Sequence, residues 1–65
     1  MNDNQMFEKM REFAHRIVVD ADSIEEKQQI DQEAKKYAEE HSIPYWIVDR
    51  VYIETGAGSI LDMLP

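Results

Sequence analysis

The chain has no cysteine. Disulfides cannot hold this small fold together, and thiolate metal sites are excluded. No apolar run reaches the roughly 18 residues of a membrane span. The first ten residues, MNDNQMFEKM, lack the basic-then-apolar order of a secretory signal. Together these absences point to the cytoplasm. Bases are scarce: seven Lys and Arg stand against fourteen Asp and Glu, for a net charge of −7. That balance repels nucleic-acid phosphate and favours basic surfaces, and it also serves simple solubility.

Catalytic and ligand motifs are missing too. His15 and His41 share no motif and match no zinc spacing, so each reads as a residue bordering a helical stripe. Asp20 and Asp22 lack the further oxygen ligands, the central glycine and the closing glutamate of a calcium loop. Gly56 and Gly58 form no phosphate cradle, and no nucleophile occupies a recognisable elbow. A chain of 65 residues has little room for an enclosed pocket. The expectation is one domain, residues 1–65, with no enzyme activity, no cofactor and no metal.

What is present is helical periodicity. Met6, Met10, Phe13 and Ile17, with Phe7 and Ala14 alongside, form a stripe of spacing four, three and four. Glu8–Arg11 and Glu12–Arg16 are expected to pair across the opposite side. Met1 to Gln5 reads as a frayed polar start. The run Val18-Val19-Asp20-Ala21-Asp22 breaks the pattern, since β-branched residues and aspartates disfavour helix. Ser23 with Glu26 three residues on is a capping box. It opens a second helix whose buried face is Ile30, Ala34, Tyr37, Ala38 and His41. Two alanines there allow another helix to approach closely.

The stretch Ser42 to Gly58, SIPYWIVDRVYIETGAG, holds the only Trp, two of three Tyr and both Gly. Its composition suits a strand. Alternation, however, would put Asp49 and Arg50 in the middle of opposite faces and leave neither apolar. As a helix it is capped by Ser42 or Ile43, carries Pro44 in its first turn and stops at Gly56. At about 100° per residue, Tyr45, Ile47, Val48, Val51, Tyr52 and Thr55 share one arc, while Trp46 and Ile53 lie opposite beside Asp49 and Arg50. Gly56 to Gly58 reads as a flexible turn. Ser59 then caps a short apolar turn, Ile60 to Leu64, which folds back over the core before Pro65. The predicted fold is all-α: a small three-helix domain with helices near 4–18, 23–40 and 43–55 and a short C-terminal helical turn near 59–64.

Two patterns bear on function. Tyr37, Ala38, Ser42, Ile43, Val48 and Val51 follow the spacing of a helix-turn-helix, in which the second helix enters the DNA major groove. Yet that helix would offer Pro44, Tyr45, Trp46 and Asp49 with Arg50 as its only base, behind Glu39 and Glu40. The chemistry opposes phosphate. The second pattern is the far face of the same helix. Trp and Arg dominate binding energy at protein interfaces, so the candidate partner-binding surface is Trp46, Asp49, Arg50 and Ile53, bordered by Glu39 and Glu40. The primary expectation is a small acidic inhibitor or regulator that occupies a basic, even nucleic-acid-binding, surface on another protein. Short, charge-biased chains of this kind suit a phage or mobile element. A DNA-binding regulator and a self-associating homodimer are the alternatives, and plain core packing of Trp46 is the competing explanation for that residue.

Overall fold

The structure is a computed structural model, and it describes residues 1–63. Helix α1 spans Asp3–His15, α2 spans Ile24–Glu40, α3 spans Tyr45–Thr55 and α4 spans Ala57–Asp62. The described residues contain no strand, so the domain is all-α and Ser42 to Gly58 is helical.

The first helix begins without fraying. The Asn2 side chain accepts from the Gln5 amide at 2.9 Å, and the Gln5 side chain accepts from the Asn2 amide at 3.0 Å. This reciprocal box uses Asn and Gln where Ser and Glu are commoner. Met10, Phe13, Ala14 and Ile17 carry the stripe into the core, with Met6 and Phe7 packed against it. At the far end the helix does not break at Val18 but widens into a π-helical turn, Arg16–Asp20. The Ala21 amide closes that turn on the Arg16 carbonyl at 2.8 Å. The Lys27 ammonium donates to the Ile17 carbonyl at 2.6 Å, a cation placed where the helix dipole is negative. The expected pairs on α1 are redistributed. Glu12 pairs with Lys9 at 3.3 Å, Arg16 reaches across to Glu33 at 3.5 Å, and the Arg11 guanidinium lies over the Phe7 ring.

Ser23 caps α2 as its sequence indicates, accepting from the Glu26 amide at 3.1 Å. The Glu26 carboxylate reaches one residue further back than a standard box, to the Asp22 amide at 3.3 Å. Ile30, Ala34 and Ala38 are buried and Tyr37 is half-buried. His41 is exposed rather than part of the buried face; it stacks edge-on against Tyr37 with ring centroids 4.0 Å apart.

The α2–α3 turn is a Schellman motif. The Ile43 amide donates to the Ala38 carbonyl at 2.8 Å, the Ser42 amide donates to the Glu39 carbonyl at 3.3 Å, and Ser42 takes a left-handed φ of 55°. Ile43 and Ala38 are both buried, the apolar contact that accompanies this geometry. Pro44, not Ser42 or Ile43, is the residue that caps α3, and it does so by backbone alone. Ile47, Val48, Val51 and Tyr52 face inward, α1 being the most extensive neighbour of α3. Tyr45, expected on that arc, points outward and is 75% exposed.

Gly56 ends α3 at φ 83°, in the left-handed region its position requires. It also begins α4, so Gly56 to Gly58 is no flexible turn and Ser59 lies inside a helix rather than capping one. Of the expected lid, Ile60 is half-buried, Leu61 packs on the core and Met63 is exposed; Leu64 lies outside the described residues. Ala57, unremarked in the sequence, is the fully buried residue of this segment. No helix among the described residues is long and apolar enough to cross a membrane.

Candidate functional site

A helix that gives Ile47, Val48, Val51 and Tyr52 to the core must turn positions 46, 49, 50 and 53 away from it. All four are exposed, Trp46 at 55% and Ile53 at 71%. They recur at three- and four-residue intervals and form one stripe along the outside of α3. Within it, Arg50 pairs with Glu54 one turn on, at 3.1 Å. Among the described residues Asp49 has no cation within ion-pair distance.

Two elements widen the stripe. On one side Phe7 of α1 meets the Trp46 ring edge to face, with centroids 5.8 Å apart, and Arg11 covers Phe7 at 5.4 Å. Phe7 was not among the residues the sequence singled out for the face. Its offset from the Met6–Ile17 stripe was the available signal. On the other side a groove of about 400 Å³ runs between α2, α3 and α4, with Tyr45, Asp49, Ile53, Lys35, Ser59 and Asp62 on its walls. A smaller cleft brings Glu39 beside Tyr45 and Val48. Glu40 points elsewhere, to Lys36 at 4.0 Å.

The floor of the larger groove holds a polar chain that the sequence did not suggest. The part-buried Tyr52 hydroxyl donates to Asp31 at 2.8 Å, and Asp31 accepts from Lys35 at 2.9 Å. Burial, then the hydrogen bond to Asp31 and the carboxylate's charge, push the Tyr52 phenol well above its ordinary range. This chain ties α3 to α2 beneath the face.

Each of the seven Lys and Arg side chains is already engaged within the chain. Lys9, Arg16, Lys35, Lys36 and Arg50 pair with carboxylates, Lys27 holds the Ile17 carbonyl, and Arg11 stacks on Phe7. The negative surplus is therefore the field the molecule presents. A second, broader depression crosses α1, the π-helical turn and Thr55, where the exposed His15 approaches Asp20 at 3.8 Å. The described residues gather no set of three or more His, Asp or Glu suited to a metal ion.

The helix-turn-helix spacing acquires a geometry. Ala38, Ile43, Val48 and Val51 are buried, Tyr37 is half-buried, and Ser42 makes the left-handed turn. Pro44, Tyr45, Trp46, Asp49, Arg50 and Ile53 then occupy the outward side that a reading helix would present. No family model matches the chain, and comparisons with curated proteins and with solved structures likewise found no match.

Proposed function

We propose that this chain is a non-enzymatic protein-binding module of the cytoplasm, an inhibitor or regulator that acts by occupying a cationic surface on another protein. The observation that carries this reading is the outer face of α3, where Trp46 and Ile53 stay exposed on a helix whose other side already fills the core. A Trp and an Ile left together in water cost about 25 cal/mol per Å² of apolar surface relative to cover by a partner. Trp46 and Arg50 are the residue types that anchor interfaces. Asp49 and Glu39 margin the face, and the charge of −7 favours a basic partner. The test is affinity capture from host extract with wild type and Trp46→Ala side by side. A set of basic proteins retained by the first and lost by the second is expected; identical profiles would remove the face from consideration.

The alternative is a DNA-binding regulator, favoured by the Schellman turn and by burial at the helix-turn-helix positions. Its chemistry is unfavourable. Phosphate contacts come from Lys and Arg, and here Arg50 is the only base on the reading helix and is paired with Glu54. At moderate salt no measurable affinity for duplex DNA is expected. Recovery of one sequence from a random duplex pool would reverse the ranking.

A further inference from the structure

We propose that the occupant of the outer face of α3 is a second copy of this chain, packed antiparallel about a two-fold axis that passes between Asp49 and Arg50. The proposal rests on the docking-face reading above and says what covers that face in the free chain; a cationic partner takes the face by displacing the second copy. Residues equidistant from such an axis lie opposite one another, and every contact is made twice. Trp46 then meets the partner's Ile53, and Ile53 meets the partner's Trp46. Asp49 faces the partner's Arg50, and Arg50 faces the partner's Asp49. Tyr45 comes opposite the partner's Glu54, a hydroxyl donor against a carboxylate. The order Trp, Asp, Arg, Ile is thus its own complement when reversed, apolar on apolar and acid on base.

In that register Arg50 exchanges its pair with Glu54 on its own helix for the partner's Asp49. Asp49 has no cation partner among the described residues, and Arg50 is held only by an exposed pair on its own helix. Phe7 beside Trp46 extends the apolar platform on which the partner's Ile53 would rest. Repulsion between two chains of −7 opposes association in general, but at the axis each copy sets one acid, Asp49, against one base, Arg50, and Glu54 at the edge faces a hydroxyl. Two copies covering each other remove from water the apolar surface that a three-helix core cannot hide.

Sedimentation analysis across a wide concentration range tests this, with far-ultraviolet circular dichroism confirming that each exposed-site variant stays helical. Wild type should run at twice the chain mass. Trp46→Ala should weaken association by about thirtyfold or more, the scale of an interface hot spot. Asp49→Arg and Arg50→Asp each set like charges across the axis and should give monomers. The double variant Asp49→Arg/Arg50→Asp keeps acid opposite base and should dimerise again. Mixing the two single variants should give a heterodimer, because each then supplies the sign the other lacks. Failure of both the double variant and the mixture to associate would overturn the two-fold register. A wild-type monomer at about millimolar concentration would overturn the second copy as occupant, while the docking-face reading would stand if Trp46→Ala still lost captured protein. A dimer unaffected by any of these changes, with capture equally unaffected, would overturn both.

Discussion

Trp46 and Ile47 are neighbours in sequence and lie on opposite sides of α3, so truncating each to alanine separates face from core. Ile47 has no solvent exposure and Trp46 is 55% exposed. A fully buried aromatic hides about 150–250 Å². At somewhat under half buried, Trp46 hides about 100 Å², which at about 25 cal/mol per Å² sets an upper bound near 2.5 kcal/mol. Alanine retains part of that, and Phe7 can repack, so Trp46→Ala should cost about 1–2 kcal/mol. Ile47→Ala deletes three carbons from a site closed to water and should cost about 3–4 kcal/mol. For a chain of this length, with a total stability of about 3–10 kcal/mol, that is from about a third of what holds it folded to all of it. The assay is urea denaturation followed by far-ultraviolet circular dichroism, at protein concentrations low enough that any second copy has dissociated. The larger side chain should be the cheaper to remove. If Trp46→Ala destabilises as much as Ile47→Ala, Trp46 belongs to the core, and the outer face of α3 is not the binding surface.

Backbone conformation makes the next prediction. Gly56→Ala should cost about 1 kcal/mol through its left-handed φ alone, since an added Cβ there meets nothing within 4 Å. Ser42→Gly should be stabilising by up to about 1 kcal/mol in a thermal melt, because Ser42 holds the same region with a side chain. Ser23→Ala should cost about 1 kcal/mol and Glu26→Ala less, and a neutral Ser23→Ala would remove the cap from the account of α2. Tyr52 predicts alkaline sensitivity. The unfolded chain releases the phenol proton near pH 10.0 while the folded chain retains it, so stability is whole below that pH and falls above it by about 1.4 kcal/mol per pH unit. Tyr52→Phe should cost about 1–2 kcal/mol at neutral pH and flatten that slope.

The fold was legible where one local signal coincided with one physical requirement. The Met6–Ile17 stripe, the Ser23 cap and the Gly56 stop each depend on a few neighbouring residues. The errors lie where two local solutions compete. Val18 and Val19 read as a break, yet the Ile17 carbonyl finds Lys27, ten residues away, and the helix can widen instead of ending. Ser59 reads as a cap, yet Gly56 already turns the chain, and burial of Ala57 starts the last helix earlier. Asn2 and Gln5 read as a polar tail because their box uses less common residues. The wheel angle puts Tyr45 inward, but it opens the helix, where the core is already closed by Ile43 and Val48.

The candidate face was legible for a different reason. One helix cannot bury two opposite apolar strips in a three-helix domain, so the angular separation of Trp46 and Ile53 from Val51 was enough to put them outside. What angles could not supply were the neighbours from other helices: Phe7 beneath Trp46, the Tyr52–Asp31–Lys35 chain, and Glu39 without Glu40 at the margin. The same limit explains how a helix-turn-helix spacing can coexist with an outer face whose single base is already paired. The spacing of Ala38, Ser42, Ile43, Val48 and Val51 specifies how two helices cross, and all of these residues but Ser42 are spent in the core. What the second helix touches is decided by the residues left over. Here they are Tyr45, Trp46, Asp49, Arg50, Ile53 and Glu54: two aromatics, an Ile, two acids and one base. The arrangement is chemically closer to half of a protein interface than to a reader of phosphate and base edges.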